Sequence, residues 1–325
     1  VRALVVSNML PDAAHPERGR FVRDQVAALR RLDGLDVELY EFHPGGRALA
    51  DAARDMPRRF GGRPALKRRS APRFDLVHAH FGLTVWPAFA VPARVRGLTV
   101  HGTDLRHPRT RLATAAALPF IDLLAAVSAP LVLELPGRAA RERAQVLPCG
   151  VDIERFRPLP RAQARAELGL DPERAYLLFS ADPSRASKRH DRALALAHAV
   201  DVELLTLGGV DPDRVPLWVN AANAVLAPSE REGFGLAVLE ALACDVPVLA
   251  TPVGVHPRAL EGVDGALCAP FDLAVWRAAV EPHLRAPDPR VQGRASAARY
   301  SAGAMAELLA GAWQRALAQS GWASG

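Results

Sequence analysis

The sequence predicts an α/β protein of two doubly wound, parallel-sheet domains, and three observations carry that prediction. Its 325 residues exceed the length at which a single hydrophobic core keeps growing. Short β-branched or leucine-rich runs alternate throughout with longer Ala/Leu/Arg stretches of helical period. That is the rhythm of parallel strands covered by helices on both faces. Midway, Phe156-Arg157-Pro158-Leu159-Pro160 interrupts both periods with prolines. The expected layout is a first domain over 1–157, a second over 158–300 and a closing segment over 301–325.

In the first half the apolar runs 3–7, 37–42, 76–80, 98–101, 123–127 and 146–147 are the strand candidates. Helical patterns such as 21–32 and 85–93 separate them. The second half repeats the rhythm with strands at 176–179, 202–207, 224–226, 248–251 and 266–268. A helical stretch over 161–168 stops at Gly169, as a C-terminal glycine cap does. Ser301 can cap a last helix over 302–318. In doubly wound sheets ligands bind at the carboxyl ends of strands, so chemistry is sought just after strands.

Composition narrows the function classes. Half the residues are hydrophobic, enough for two cores. Cys149, Cys244 and Cys268 are odd in number and widely spaced, which fits neither a disulfide framework nor a zinc site and points to a reducing compartment. No apolar run is long enough to cross a bilayer. The start, Val1 to Ser7, reads as a strand rather than a signal peptide. A cytoplasmic protein is expected, either free or peripheral at the inner face of the membrane. The net charge of +6 comes almost wholly from arginine, since Lys67 and Lys188 are the only lysines. One basic cluster, Arg58, Arg59, Arg63, Lys67, Arg68 and Arg69, reads either as a solvated loop or as a contact for an anionic membrane or acceptor. Nucleic-acid binding would want interleaved aromatics or a recognition helix, and neither is present.

The strongest chemical signal runs from Ser229 to Ala243. It follows the strand at 224–226 and opens a helix. Gly233 and Gly235 leave backbone amides uncovered at that helix start; with Phe234 and Leu236 they form a ready anion site suited to a diphosphate. Glu232 stands just ahead of the site and Glu240 lies inside the helix. Carboxylates repel phosphate, so both suit sugar hydroxyls on either side of it. After the strand at 176–179, Arg185 and Lys188 stand where cations would face the same diphosphate. Lys188 is informative in a chain that has nearly abandoned lysine, because a compact ammonium reaches phosphate oxygens as a point charge.

The Glu232…Glu240 segment resembles the E-x7-E motif of retaining GT-B glycosyltransferases of family 4. Further pieces resemble that family in order. These are Gly19-Arg20-Phe21, Asp75-Leu76-Val77-His78-Ala79-His80, Val100-His101-Gly102-Thr103-Asp104, Leu147-Pro148-Cys149-Gly150-Val151-Asp152 and Val248-Leu249-Ala250-Thr251-Pro252-Val253-Gly254. Enzymes of teichuronic-acid and other cell-surface polysaccharide synthesis look most similar in flavour. The resemblance implies a GT-B fold and sugar transfer from a nucleotide diphosphate donor to a glycan or lipid-linked acceptor, with retention and without a bound metal or other cofactor. It places Glu232 on donor-sugar hydroxyls, Glu240 on the ribose, Arg185 and Lys188 on the leaving diphosphate, His101 near the reacting centre, and Gly19 where backbone approaches the phosphates. It also implies that the last helix, through Met305, Leu308, Leu309 and Trp313, packs back on the N-terminal domain. Departures are Cys149, where the family commonly has Asn, and the Ser180–Lys188 stretch, where it has a glycine–arginine pair before the lysine.

Rival readings are separable. A dehydrogenase lacks its glycine fingerprint after the first strand, where Asn8-Met9-Leu10-Pro11 stands. A hydrolase would need a Gly-x-Ser-x-Gly elbow. A two-lobed sugar receptor would be exported. A donor-binding scaffold without transfer and a sugar-nucleotide epimerase share the fold and stay open.

Overall fold

The computed structural model describes residues 1–61 and 73–321. The chain divides into two compact units. One comprises Val1–Asp12, Arg18–Cys149 and Gly303–Gly325; the other comprises Ala13–Glu17 and Gly150–Ala302.

The first unit is built on strands β1 (Arg2–Ser7), β2 (Asp36–Glu41), β3 (Phe74–His80), β4 (Ala93–Val100), β5 (Leu123–Ala126) and β6 (Gln145–Val146), in the order β2-β1-β3-β4-β5-β6. Every neighbour pair is parallel. Residues 3–6 of β1 are wholly buried, as a strand covered on both faces requires. The second unit carries β7 (Tyr176–Phe179), β8 (Glu203–Thr206), β9 (Ala224–Ala227), β10 (Val248–Ala250) and β11 (Leu267–Cys268), in the order β11-β10-β9-β7-β8, again parallel. In each sheet the chain winds one way from its first strand and then the other. The crevices at the carboxyl ends of β1/β3 and of β7/β9 are therefore the topological switch points where such folds place ligands.

Each expected apolar run forms a strand, with shifted ends. The largest shift is in β4, which starts at Ala93 rather than 98. Arg94 and Arg96 sit at strand positions there and disguise the run, because long charged stems can lie along a sheet while their heads reach water. The helix expected over 85–93 closes early, at Val85–Ala88, since Pro92 precedes β4 and favours extended chain. Arg161–Leu168 forms as expected and ends on Gly169 in the left-handed conformation, φ 68°.

The passage between units lies at Cys149/Gly150, several residues before the prolines that suggest it in sequence. Backbone bonds explain the displacement. Val151 N–H donates to Tyr300 O and Ala302 N–H to Val151 O, both at 2.8 Å. The Arg294 guanidinium adds bonds to the carbonyls of Phe156 at 3.0 Å and Ile153 at 2.8 Å. The segment before the prolines is thus tied to the second unit. The last helix, Ala302–Gln319, buries Met305, Leu309 and Trp313, while Leu308 is 40 % exposed and does not share the buried face. Trp313 belongs to the first unit, where its Nε1–H donates to His78 Nδ1 at 3.0 Å.

Cys149 and Cys244 are buried free thiols, each pushed up to about 12 by burial. Of the basic cluster, Arg58 and Arg59 end the helix Gly46–Phe60; Arg63, Lys67, Arg68 and Arg69 lie outside the described residues. Among the described residues no helix is long and apolar enough to cross a membrane.

Candidate active site

The second unit's switch point is lined by the two segments that carry its candidate residues. Lys188 follows β7, closing a short 3-10 turn over Ala186–Lys188. Glu232 lies in the loop that joins β9 to the helix Leu236–Ala243. Their side chains meet: Lys188 Nζ donates to Glu232 Oε1 at 2.6 Å, with only 14 % and 11 % of the two side chains exposed. Ser229 Oγ–H donates to the same carboxylate oxygen at 2.7 Å. Burial pushes the Glu232 carboxyl upward, but the Lys188 charge and the bonds from Lys188 and Ser229 outweigh it, and the net shift is downward. The loop is also pinned to the Lys188 segment by Glu230 N–H on Ser187 O at 2.9 Å, and Arg192 holds its first residue through Pro228 O at 3.1 Å.

Gly235 is the N-cap of Leu236–Ala243, at φ 106°, and no side chain caps the helix there. The first-turn amides and the positive end of the helix dipole therefore face the crevice, the arrangement that binds an anion. Phe234 is buried and Gly233 and Leu236 are half-buried on either side of that cap. Glu240 occupies the second turn and is half-buried. Arg185 is exposed, and its charge acts on Asp182 rather than within the Lys188–Glu232 pair.

Sequence reading missed the floor of this site. Thr251, just after β10, donates Oγ1–H to Ser229 O. His256, 1 % exposed, donates Nδ1–H to the Thr251 carbonyl at 2.9 Å. Its ring fills the space a side chain at position 235 would need: a Cβ there would lie 2.5 Å from His256 Nε2. Gly254 (φ 59°) is equally constrained, since a Cβ would meet Phe234 O at 2.2 Å. No period or motif marks His256; only its packing on Gly235 does.

The first unit holds the remaining candidates. Gly19 starts the helix Arg20–Leu29 at φ 69°, and a Cβ there would lie 2.2 Å from Met9 O, so both conformation and close approach require glycine. His101 follows β4, half-buried, with its ring against Phe81 at 4.5 Å and Phe21 at 5.0 Å. Its Nε2 meets His80 Nδ1 at 2.9 Å. His78 is fixed by Trp313 on Nδ1 and by Thr99 Oγ1 on Nε2 at 2.8 Å. Burial lowers all three imidazoles, His80 to about 4, so the row is neutral at physiological pH. Asp104, 3 % exposed, accepts from the backbone N–H groups of Gly82 at 3.2 Å, His101 at 3.1 Å and Gly102 at 2.8 Å. Asp104 therefore caps the turn that presents His101.

Comparison with known proteins places the chain in a family. Residues 19–155 match the family described as Glycosyltransferase Family 4, and residues 174–285 match Glycosyl transferases group 1. D-inositol 3-phosphate glycosyltransferase 1 of Catenulispora acidiphila is 31% identical over 307 residues, covering 76% of this chain and 73% of that one. The chain belongs to the family 4 glycosyltransferases. Solved structures of this fold superpose over nearly the whole chain. Sucrose-phosphate synthase from Thermosynechococcus elongatus matches with a TM-score of 0.71 at 17% identity, covering 98% of this chain and 100% of that one. Anabaena HepE in complex with UDP-glucose matches with a TM-score of 0.66 at 17% identity, covering 96% and 99%. The two parallel sheets are thus those of a GT-B glycosyltransferase.

Proposed function

We propose that this glycosyltransferase moves a sugar from a nucleotide diphosphate donor to a glycan or lipid-linked acceptor with retention at the anomeric carbon, and that it needs no bound metal. The observation that carries the reading is the Lys188–Glu232 pair beside an uncapped helix N-terminus at the β7/β9 switch point. Lys188 has three N–H donors, so it can keep Glu232 and still reach a phosphate oxygen. Together with the helix dipole it supplies positive charge where a divalent ion would otherwise act. Glu232, ionised and held from two sides, can accept from donor-sugar hydroxyls. Glu240 is assigned to the ribose, the amides of residues 233–236 to the diphosphate, and Arg185 to the same anion from the rim. Roles for His101 and Gly19 in the reaction rest on the family resemblance. In the balanced step the bond from the anomeric carbon to the diphosphate breaks, the acceptor hydroxyl oxygen takes that carbon, and nucleoside diphosphate and a proton leave.

The Catenulispora acidiphila relative is named for D-inositol 3-phosphate, which makes an anionic polyol a candidate acceptor beside cell-surface glycans. Arg58 and Arg59 belong to the proposed contact with an anionic acceptor or the inner membrane face. The test is a thermal-shift screen against UDP-, GDP- and ADP-sugars, followed by NMR of the product's anomeric configuration. One preferred nucleotide, silent in Lys188→Ala, with a retained anomer in the product, is the expected result. No shift with any nucleotide, or an inverted product, would overturn the reading. Donor turnover without acceptor would instead favour an epimerase.

A further inference from the structure

The donor site contains one titratable group that the proposed chemistry does not use. His256 opens the short helix His256–Leu260 after β10 and is almost wholly buried. A carbonyl can only accept, so the 2.9 Å bond to Thr251 O fixes the proton on Nδ1. Nε2 therefore carries the lone pair of the neutral ring. It abuts the Cα of Gly235, the cap of the helix whose amides face the diphosphate position.

A lone pair in that place is an awkward neighbour for a phosphate, whereas an N–H is a good one. Burial first, and then the charges around His256, decide between the two. From the β9 loop Glu232 favours the imidazolium; from the β7 loop Lys188 opposes it. The positive end of Leu236–Ala243 opposes it as well. On its own helix, Arg258 is exposed. Burial opposes it most strongly of all, so the unliganded ring is held below its ordinary 6.5 and is neutral at pH 7. Two negative charges on the other side of Gly235 would act with Glu232 against that balance.

We propose that His256 takes up a proton from solvent at Nε2 when a nucleotide diphosphate occupies the N-terminus of Leu236–Ala243, so that donor binding and protonation are coupled. This rests on the donor site proposed above. The coupling makes donor affinity pH-dependent in a defined direction: affinity falls by up to about tenfold per pH unit between the pKa of the free ring and that of the donor-bound ring, and levels off above the latter.

The experiment is calorimetric titration of the whole protein with UDP-glucose, GDP-mannose and ADP-glucose at pH 7, in three buffers of different ionisation enthalpy. The phosphates of these diesters do not titrate near neutrality, so any uptake belongs to the protein. The expected slope is about 0.5–1 proton for the parent and near zero for His256→Gln, whose amide can still donate to Thr251 O. Affinity should fall with pH in the parent and stay flat in the variant. Binding without proton uptake, or equal uptake in the variant, would overturn the role of His256 while leaving the donor site standing. No binding of any of the three removes both. Should the Gln variant fail to fold, His256→Asn replaces it, and the slope of the parent alone still refutes the proposal if it is zero.

Discussion

Replacing Lys188 with methionine keeps its length and removes its charge, and leaves Glu232 ionised in a buried place without its ammonium partner, with the Ser229 hydroxyl still bound to it. Unpairing one member of a buried ion pair is destabilising by about 3–5 kcal/mol in general. Here the chemistry sets a ceiling. Glu232 can escape by taking a proton, and from its ordinary 4.5 this costs roughly 3.4 kcal/mol at pH 7, at 1.36 kcal/mol per unit. The same escape costs only about 0.7 kcal/mol at pH 5. The sign follows from linkage. In the parent, Glu232 is held below its unfolded value, so its contribution is full above that value and is lost as pH falls through the folded one. The variant should therefore be roughly 3 kcal/mol less stable than the parent at pH 7, with most of that gap closed at pH 5. Urea unfolding followed by fluorescence at both pH values reads the difference, and adding Glu232→Gln to Lys188→Met should restore most of the loss. A variant within about 0.5 kcal/mol of the parent at pH 7 would mean that the pair is not held out of water, and the reasoning about the site's electrostatics would fall with it.

Further outcomes concern the first unit. Asp104 is raised from 3.8 to about 6 because burial outweighs its backbone N–H bonds. Its folded form binds a proton more tightly than the unfolded chain, so the stability it lends is present below 3.8 and lost as pH rises through 6. Between pH 3.5 and 7, unfolding free energies should shift by about 3 kcal/mol in favour of Asp104→Asn over the parent. Trp313→Phe leaves His78 Nδ1 without its donor and should lower stability by about 1–3 kcal/mol, read by chemical unfolding. Gly97→Ala forces a methyl to 2.4 Å from His78 Nδ1 and should lower the melting temperature or abolish folding; an unchanged value would contradict the packing of β3 on β4. Gly19→Ala combines a left-handed backbone with a contact on Met9 O, and proteolysis of the helix start should rise.

Much of the fold was legible because strands buried on both faces read as unbroken apolar runs, which survive the noise of an arginine-rich sequence. Where arginine entered a strand, at Arg94 and Arg96, the run was cut short. The prolines at 158 and 160 mark a real break in period. Yet the chain changes units earlier, because Arg294 and Tyr300, more than a hundred residues away, tie residues 151–156 to the second unit. Non-local bonds of that kind leave no local trace. The same holds for the site. Glu232, Gly235 and Lys188 stood out by type and by position after strands, and the structure joins Lys188 to Glu232. Ser229, Thr251 and His256 are ordinary residues whose importance comes from what folds against them. Asp104 stands in a family-like stretch, but only its three backbone bonds show that it caps a turn.

The first unit has a consequence for synthesis. It is discontinuous: its sheet is complete by Cys149, but Trp313, which satisfies a buried histidine in that sheet, comes only after the whole second unit. At about 5–20 residues per second, the ribosome needs roughly 8–30 s to make the intervening stretch. During that interval the nascent sheet has His78 with one ring nitrogen unanswered and an uncovered apolar face, while the second unit, nearly contiguous in sequence, can close on itself. Chaperone engagement should therefore be greatest on ribosome-bound chains stalled between the two, and should drop once the last helix emerges.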